Sequence, residues 1–318
     1  MKYWATLLCL MMACACVHAS PPVRGQAPRW QPAVGLKQVP IWSATPPDAQ
    51  PMPGPETMVV RSEQVGGRPW RAVTNVDTPT MTVYPPKGRN TGAAVVVFPG
   101  GGFEVLAIDL EGSEICDWVT ARGITCVLLK YRVPSATYDW HCHCRPHNFA
   151  LSVPSLQDAQ RTLRLVRFHA RDWHVDPHRV GVIGFSAGGY LVAEASTNYR
   201  KTLYPTTDAA DRESARPDFA LAIYPGHLTR GDGKLNPNVP VTADTPPTFI
   251  LQASDDDVDG VQQALTYYAA LQAAKVPTEL HIYAKGGHAF GLRRTGEPIT
   301  AWTDLADTWL RTIGISAH

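Results

Sequence analysis

The chain has 318 residues, with 29 Lys and Arg against 28 Asp and Glu, so its net charge is +1. That balance argues against a polyanion such as nucleic acid as partner, because neutralising a phosphate backbone takes a concentrated basic surface. Apolar residues make up 44% and charged residues 18%, enough to bury one large core. Beyond the N-terminus there is no apolar run of the length a membrane-spanning helix requires.

Residues 1–19 read as a secretory signal peptide, with Lys2 as the positive region, an apolar stretch over 5–17 and Val17-His18-Ala19 as the cleavage site. The mature chain is therefore expected to be secreted or periplasmic. A lipid anchor on Cys14 or Cys16 fits less well, since neither has the upstream leucine of a lipobox. Residues 20–56 hold ten prolines, which forbids a helix or a central strand. They are read as an N-terminal arm or linker, partly packed through Trp30 and Trp42. A single catalytic domain is expected over residues 57–318.

In that domain, residues 57–61 and 81–84 are short β-rich runs, read as an antiparallel edge hairpin. The continuous apolar run 93–98 predicts a buried strand, 114–121 a helix stopped by Gly123, and 124–131 the next strand. Residues 132–154 form an irregular loop rich in aromatics and histidine. Leu156, Ala159, Leu163, Val166 and Ala170 recur at helical spacing and predict a helix over 155–173. A strand over 180–183 leads into a turn and a second helix. Strands at 219–224, 248–253 and 278–283, with helices at 261–274 and 301–312, complete the alternation. Such a pattern predicts an α/β protein with one mostly parallel sheet and helices on both faces.

The chemistry centres on Gly184-Phe185-Ser186-Ala187-Gly188, a G-x-S-x-G turn between a strand and a helix. This is the context of a nucleophile elbow, in which a strained turn presents the serine at the helix N-terminus. Ser186 needs a base, and His288, in a glycine-flanked loop after the last strand, is the best placed of eleven histidines. An acid is expected after the strand 248–253, where Asp255, Asp256, Asp257 and Asp259 cluster. Asp256 is the favoured partner of His288 and Asp255 the second choice. Asp257 and Asp259 are read as solvent-facing or as helix caps, because four crowded carboxylates repel. Calcium held by this cluster is the weaker alternative. The order Ser, Asp, His is that of the α/β-hydrolase fold. Pro99-Gly100-Gly101-Gly102-Phe103 follows the strand 93–98 and predicts an oxyanion hole built from Gly101 and Gly102, with the N–H of Ala187. A phosphate-binding loop is disfavoured, since no G-K-[ST] or G-x-G-x-x-G is present.

Of the seven cysteines, Cys116 falls in a predicted helix and Cys126 in a predicted buried strand, where each is expected to pack as a small free thiol. Cys142 and Cys144, in the loop, are the better disulfide candidates. The run from His141 to His147 has metal-ligand residue types but no standard zinc spacing. It is read as a structural loop, so no metal site is expected.

Taken together, Val97–Phe103, Glu111-Gly112, Leu129–Pro134, Leu156–Gln160, Gly184–Gly189 and Lys285–Phe290 resemble secreted bacterial α/β-hydrolase esterases of the feruloyl and acetyl xylan esterase-like family, over residues 57–314. The resemblance implies a serine carboxylic-ester hydrolase without cofactor, with Ser186 as nucleophile, Asp256 as acid, His288 as base and an acylated carbohydrate as substrate. Relatives usually have Asp-Pro-Val-Val where this chain has Asp256-Asp257-Val258-Asp259. Lactonase or peptidase chemistry with the same triad, or a catalytically dead hydrolase-fold binding protein, are the competing readings.

Overall fold

The computed structural model describes residues 28–133, 152–229 and 232–316. The leader, Cys14, Cys16, Cys142, Cys144 and the run from His141 to His147 lie outside the described residues. Five apolar runs become strands of one eight-stranded sheet: β5 (Ala94–Phe98), β7 (Thr125–Lys130), β8 (Val180–Phe185), β9 (Ala220–Ile223) and β10 (Thr248–Ala253). Every residue in these five is buried, which is why they lack the alternation of a half-solvated strand. β11 (Thr278–Tyr283) pairs in parallel with β10 at one edge. At the other edge β4 (Thr80–Tyr84) and β1 (Gln38–Pro40) run antiparallel, giving the order β1-β4-β7-β5-β8-β9-β10-β11. The strand carrying the serine therefore lies mid-sheet, between β5 and β9.

Helices α1 (Glu114–Thr120), α2 (Val153–Phe168), α3 (Ala187–Asn198), α4 (Gln262–Ala273) and α5 (Trp302–Thr312) connect or follow the parallel strands. α2 packs on α3, whereas Trp118 of α1 meets Trp302 of α5 with ring centroids 5.5 Å apart. α2 ends five residues before the predicted limit, in turns that bring His174 to φ 53°.

The predicted hairpin of 57–61 with 81–84 is not formed. Gly66 and Gly67, both at positive φ, instead turn β2 (Thr57–Val65) back onto β3 (Arg68–Thr74). With β6 (Val105–Ala107) they make a separate three-stranded sheet, while residues 80–84 join the main sheet. The turn pair at Gly66-Gly67 is the local signal that decides this pairing.

The proline-rich arm is anchored from Trp30 onward. Trp30, Ile41 and Trp42 are buried, Trp42 Nε1 donates to Asp158 Oδ1 at 2.8 Å, and Arg161 Nε donates to the Ile41 carbonyl at 2.9 Å. At its end Glu56 accepts from Lys130 Nζ at 2.6 and 2.7 Å in a buried pair. Prolines suit this role because β1 is an edge strand, where a missing N–H costs no interior hydrogen bond.

The expectation for Cys116 and Cys126 is overturned, for the two form a disulfide with Cα atoms 5.3 Å apart. A connection turning at Gly123 lays α1 against β7, so a helix residue and a strand residue ten positions apart meet.

Candidate active site

Ser186 stands between β8 and α3 at φ 54°, ψ −120°, a conformation costing an L-residue about 1–3 kcal/mol. Three backbone hydrogen bonds hold it there: Ser186 N–H to Ile223 O at 3.1 Å, and Gly226 N–H and Tyr190 N–H to Ser186 O at 3.2 and 3.0 Å. The flanking glycines are needed for space. A Cβ at Gly184 would lie 2.1 Å from Gly188 O, and one at Gly188 would lie 2.1 Å from Phe98 O.

The loops after β10 and β11 bring the other predicted residues to the serine. His288 Nε2 is 2.8 Å from Ser186 Oγ and Nδ1 is 2.7 Å from Asp256 Oδ2. Asp256 is itself fixed, taking Gln252 Nε2 on Oδ2 at 2.8 Å and the N–H groups of Val258 and Asp259 on Oδ1 at 3.0 and 2.9 Å. Asp255, the second choice, points elsewhere and accepts the Gly287 N–H at 2.9 Å. Asp256 on Nδ1–H leaves Nε2 free to accept the serine proton. Burial opposes a charge on His288, but the hydrogen bond to Asp256 and the charges of Asp256, Asp259 and Glu111 outweigh it and raise its pKa.

Gly101 and Gly102 line the same cleft, of about 640 Å³, as Ser186 and His288. Both adopt positive φ, 129° and 64°, and a Cβ at Gly101 would fall 2.2 Å from Val105 O. Ala187, fully buried, opens α3 beneath the serine. The loop is fixed from below, with Gly100 N–H donating to Glu111 Oε2 at 2.8 Å and the Tyr131 hydroxyl donating to Pro99 O.

Several residues of the site were given no role by sequence reasoning. Glu111, on a π-helical turn (Asp109–Ser113), accepts the Tyr224 hydroxyl on Oε1 at 2.8 Å, and that hydroxyl accepts the Gly291 N–H at 3.0 Å. Burial pushes the Glu111 pKa up, against the pull of Tyr224, His288 and Gly100. Trp70 of β3 and Val65 of β2 wall the cleft from the small sheet. Asp259 is a correction: its side chain is only 10% exposed, and its Oδ2 lies 3.8 Å from His288 Nε2. It faces the cleft because Gly226, in the loop after β9, leaves room for the carboxylate. Nor does it cap α4, whose cap residue is Val261. The sequence signal for Glu111 was the Glu111-Gly112 pair, one of the stretches that carry the family resemblance.

Among the described residues no helix is long and apolar enough to cross a membrane.

Residues 153–292 match the model of a family described as alpha/beta hydrolase fold. An acetylxylan esterase from Xylanibacter ruminicola is 31% identical over 215 residues, 63% of this chain and 42% of the relative. Endo-1,4-beta-xylanase B from Butyrivibrio fibrisolvens is 26% identical over 213 residues, 61% of this chain and 32% of that protein. The chain thus spans less than half the length of these curated relatives. Among solved structures, an acetyl ester-xyloside bifunctional hydrolase from Caldicellulosiruptor lactoaceticus superposes with a TM-score of 0.68 at 27% identity, covering 92% of this chain and all of that one.

Proposed function

This chain has the α/β-hydrolase fold, and we propose that it is a serine carboxylic-ester hydrolase that removes acetyl groups from xylan or xylo-oligosaccharides. The observation that carries the reading is the continuous relay from Ser186 Oγ through His288 to Asp256, with links of 2.8 and 2.7 Å. Support for the substrate comes from the relatives' names, acetylxylan esterase and acetyl ester-xyloside hydrolase. An aromatic wall at Trp70 suits a sugar ring, whose apolar face stacks on indole.

In the reaction, Ser186 Oγ bonds to the ester carbonyl carbon as its proton passes to His288 Nε2. The carbonyl electron pair moves onto oxygen, which faces the Gly101-Gly102 loop and the N-terminus of α3 at Ala187. Collapse of this intermediate expels the sugar oxygen, which takes the proton from Nε2 and leaves an acetyl-serine. Water then gives a proton to His288, attacks the acetyl carbon and releases acetate, and the proton returns to Ser186. Asp256 holds the imidazole in the required tautomer throughout, accepting its Nδ1–H without taking the proton. Export suits this substrate, which lies outside the cell, and the Cys116–Cys126 disulfide fits an oxidising compartment.

Purified Ser186→Ala should lose p-nitrophenyl acetate hydrolysis by roughly 10⁴-fold or more, and retained turnover overturns the serine mechanism. A panel of acetylated xylo-oligosaccharides, feruloyl esters, lactones and short peptides tests the substrate. Preference for any class but the first overturns the deacetylase reading and leaves the nucleophile standing.

A further inference from the structure

Asp259 lies at the reaction centre and has no part in the relay described above. Its carboxylate occupies space that exists only because residue 226 is glycine, where a Cβ would sit 2.4 Å from Asp259 Oδ2. It accepts the His227 N–H and lies beside Ser186, whose hydroxyl proton is directed at His288 Nε2, and its Oδ2 is 3.8 Å from that same nitrogen. The imidazole is therefore flanked by Asp256 on Nδ1 and by Asp259 beside Nε2.

We propose that Asp259 is a further catalytic residue, a second carboxylate that stabilises the imidazolium formed at His288 and sets the pH at which Nε2 becomes free to act as base. The inference rests on the serine-hydrolase reading and deepens it. When Ser186 Oγ bonds to the carbonyl carbon, its proton goes to Nε2 and the carbonyl pair goes to oxygen. Asp259 takes no proton in this step, and its negative charge lowers the energy of the cation beside it. The same charge makes the resting imidazole harder to deprotonate, so the acid limb of the rate profile lies at higher pH than Asp256 alone would set.

The charged groups around Asp259 act in consistent directions. On its own turn are Asp256 and the cleft-facing Asp257, and on the histidine loop is His288. Glu111 faces His288 from beneath the glycine loop. His227, from the loop after β9, presents its backbone N–H, while its ring stacks on Phe103 with centroids 6.3 Å apart. Burial, followed by repulsion from Asp256, pushes the Asp259 pKa up to about 6, against the pull of His288. Asp259 and His288 consequently titrate as a coupled pair.

The test measures two rates against pH for the full chain, p-nitrophenyl acetate kcat/KM and covalent labelling of Ser186 by a fluorophosphonate, in wild type, Asp259→Asn and Asp259→Glu. Asp259→Asn should lower the plateau roughly ten-fold and move the midpoint of the acid limb down by about 1 pH unit, the order expected on removing a charge this close. Asp259→Glu, which keeps the charge, should keep the limb near its wild-type position. A purely structural role would lower both rates without moving the limb. An unmoved limb in Asp259→Asn, or a limb moved equally in Asp259→Glu, overturns the proposal. A wild type that fails to label at Ser186 overturns the esterase reading and this inference with it.

Discussion

At the scale of single residues, the turn at Asp255–Asp259 shows how one short string divides its carboxylates among different tasks. Asp255 fastens the histidine loop through Gly287, Asp256 orients the imidazole, and Asp259 lies beside His288 Nε2. Asp256→Asn preserves shape but lets the side chain donate to Nδ1, so His288 presents a proton to Ser186 instead of a lone pair. We expect kcat to fall about 10⁴-fold with little change in KM, measured with p-nitrophenyl acetate. A loss under ten-fold would mean that Asp256 is not the acid. The pH sense follows from the raised His288 pKa. The base works only when neutral, so activity is lost as pH falls through a value above the ordinary histidine range. The sequence named Ser186 and His288 from local context and chain order. It favoured Asp256 over Asp255 from their place after the strand 248–253 but had no geometry to separate them, because adjacent residues in a turn point in directions set by the loops they meet.

Among elements, the site is a meeting of loops at the C-terminal ends of parallel strands, where an open α/β sheet leaves its crevice. The loops are tied together through Tyr224 at the end of β9, held at φ 36°. Its hydroxyl joins Glu111, which supports the glycine loop, to Gly291 of the histidine loop, and its ring lies 5.0 Å from that of His288. Tyr224→Phe removes this junction and orphans a buried N–H and a carboxylate oxygen, each costing about 1–3 kcal/mol. Slackened loops should also lower kcat roughly ten- to a hundred-fold. Urea unfolding and steady-state kinetics check the two effects, and wild-type values in both would deny the junction any role. This tie was invisible in the sequence, because Glu111, Tyr224 and Gly291 are far apart along the chain, and the Glu111-Gly112 pair, though part of the resemblance, says nothing of the partners it meets. The strands and helices were legible because buried parallel strands read as apolar runs and α2 shows clean helical spacing. The edge pairing was misjudged because residues 68–74 alternate weakly, and only the Gly66-Gly67 turn fixes their partner.

For the whole molecule, the arm and the disulfide extend the sheet's stability beyond its core. The arm adds an edge strand, buries Trp30 and Trp42 and places Glu56 against Lys130. Burial lowers the Lys130 pKa against the pull of Glu56. The Cys116–Cys126 bridge closes a short loop, for which restriction of the unfolded chain gives about 3 kcal/mol. The double variant Cys116→Ala/Cys126→Ala should lose stability of that order in urea, with activity at low denaturant retained. An unchanged midpoint would mean the bridge contributes nothing. Two cysteines ten residues apart in a helix and a strand gave no pairing signal, since their encounter depends on α1 folding onto β7.

The amino-acid sequence by itself determined the class of the sheet, the strained serine at its centre and the histidine that serves it. Each of these follows from local forces: apolar runs that must be buried, glycines that permit close approach, and a turn sited between strand and helix. Only the tertiary structure decided which aspartate meets His288, which cysteines pair, where the small sheet stands, and that Asp259 turns inward. Those outcomes depend on contacts between distant segments, such as the space left by Gly226 for a carboxylate from another loop, and a side chain's neighbours in the fold are not its neighbours in the chain.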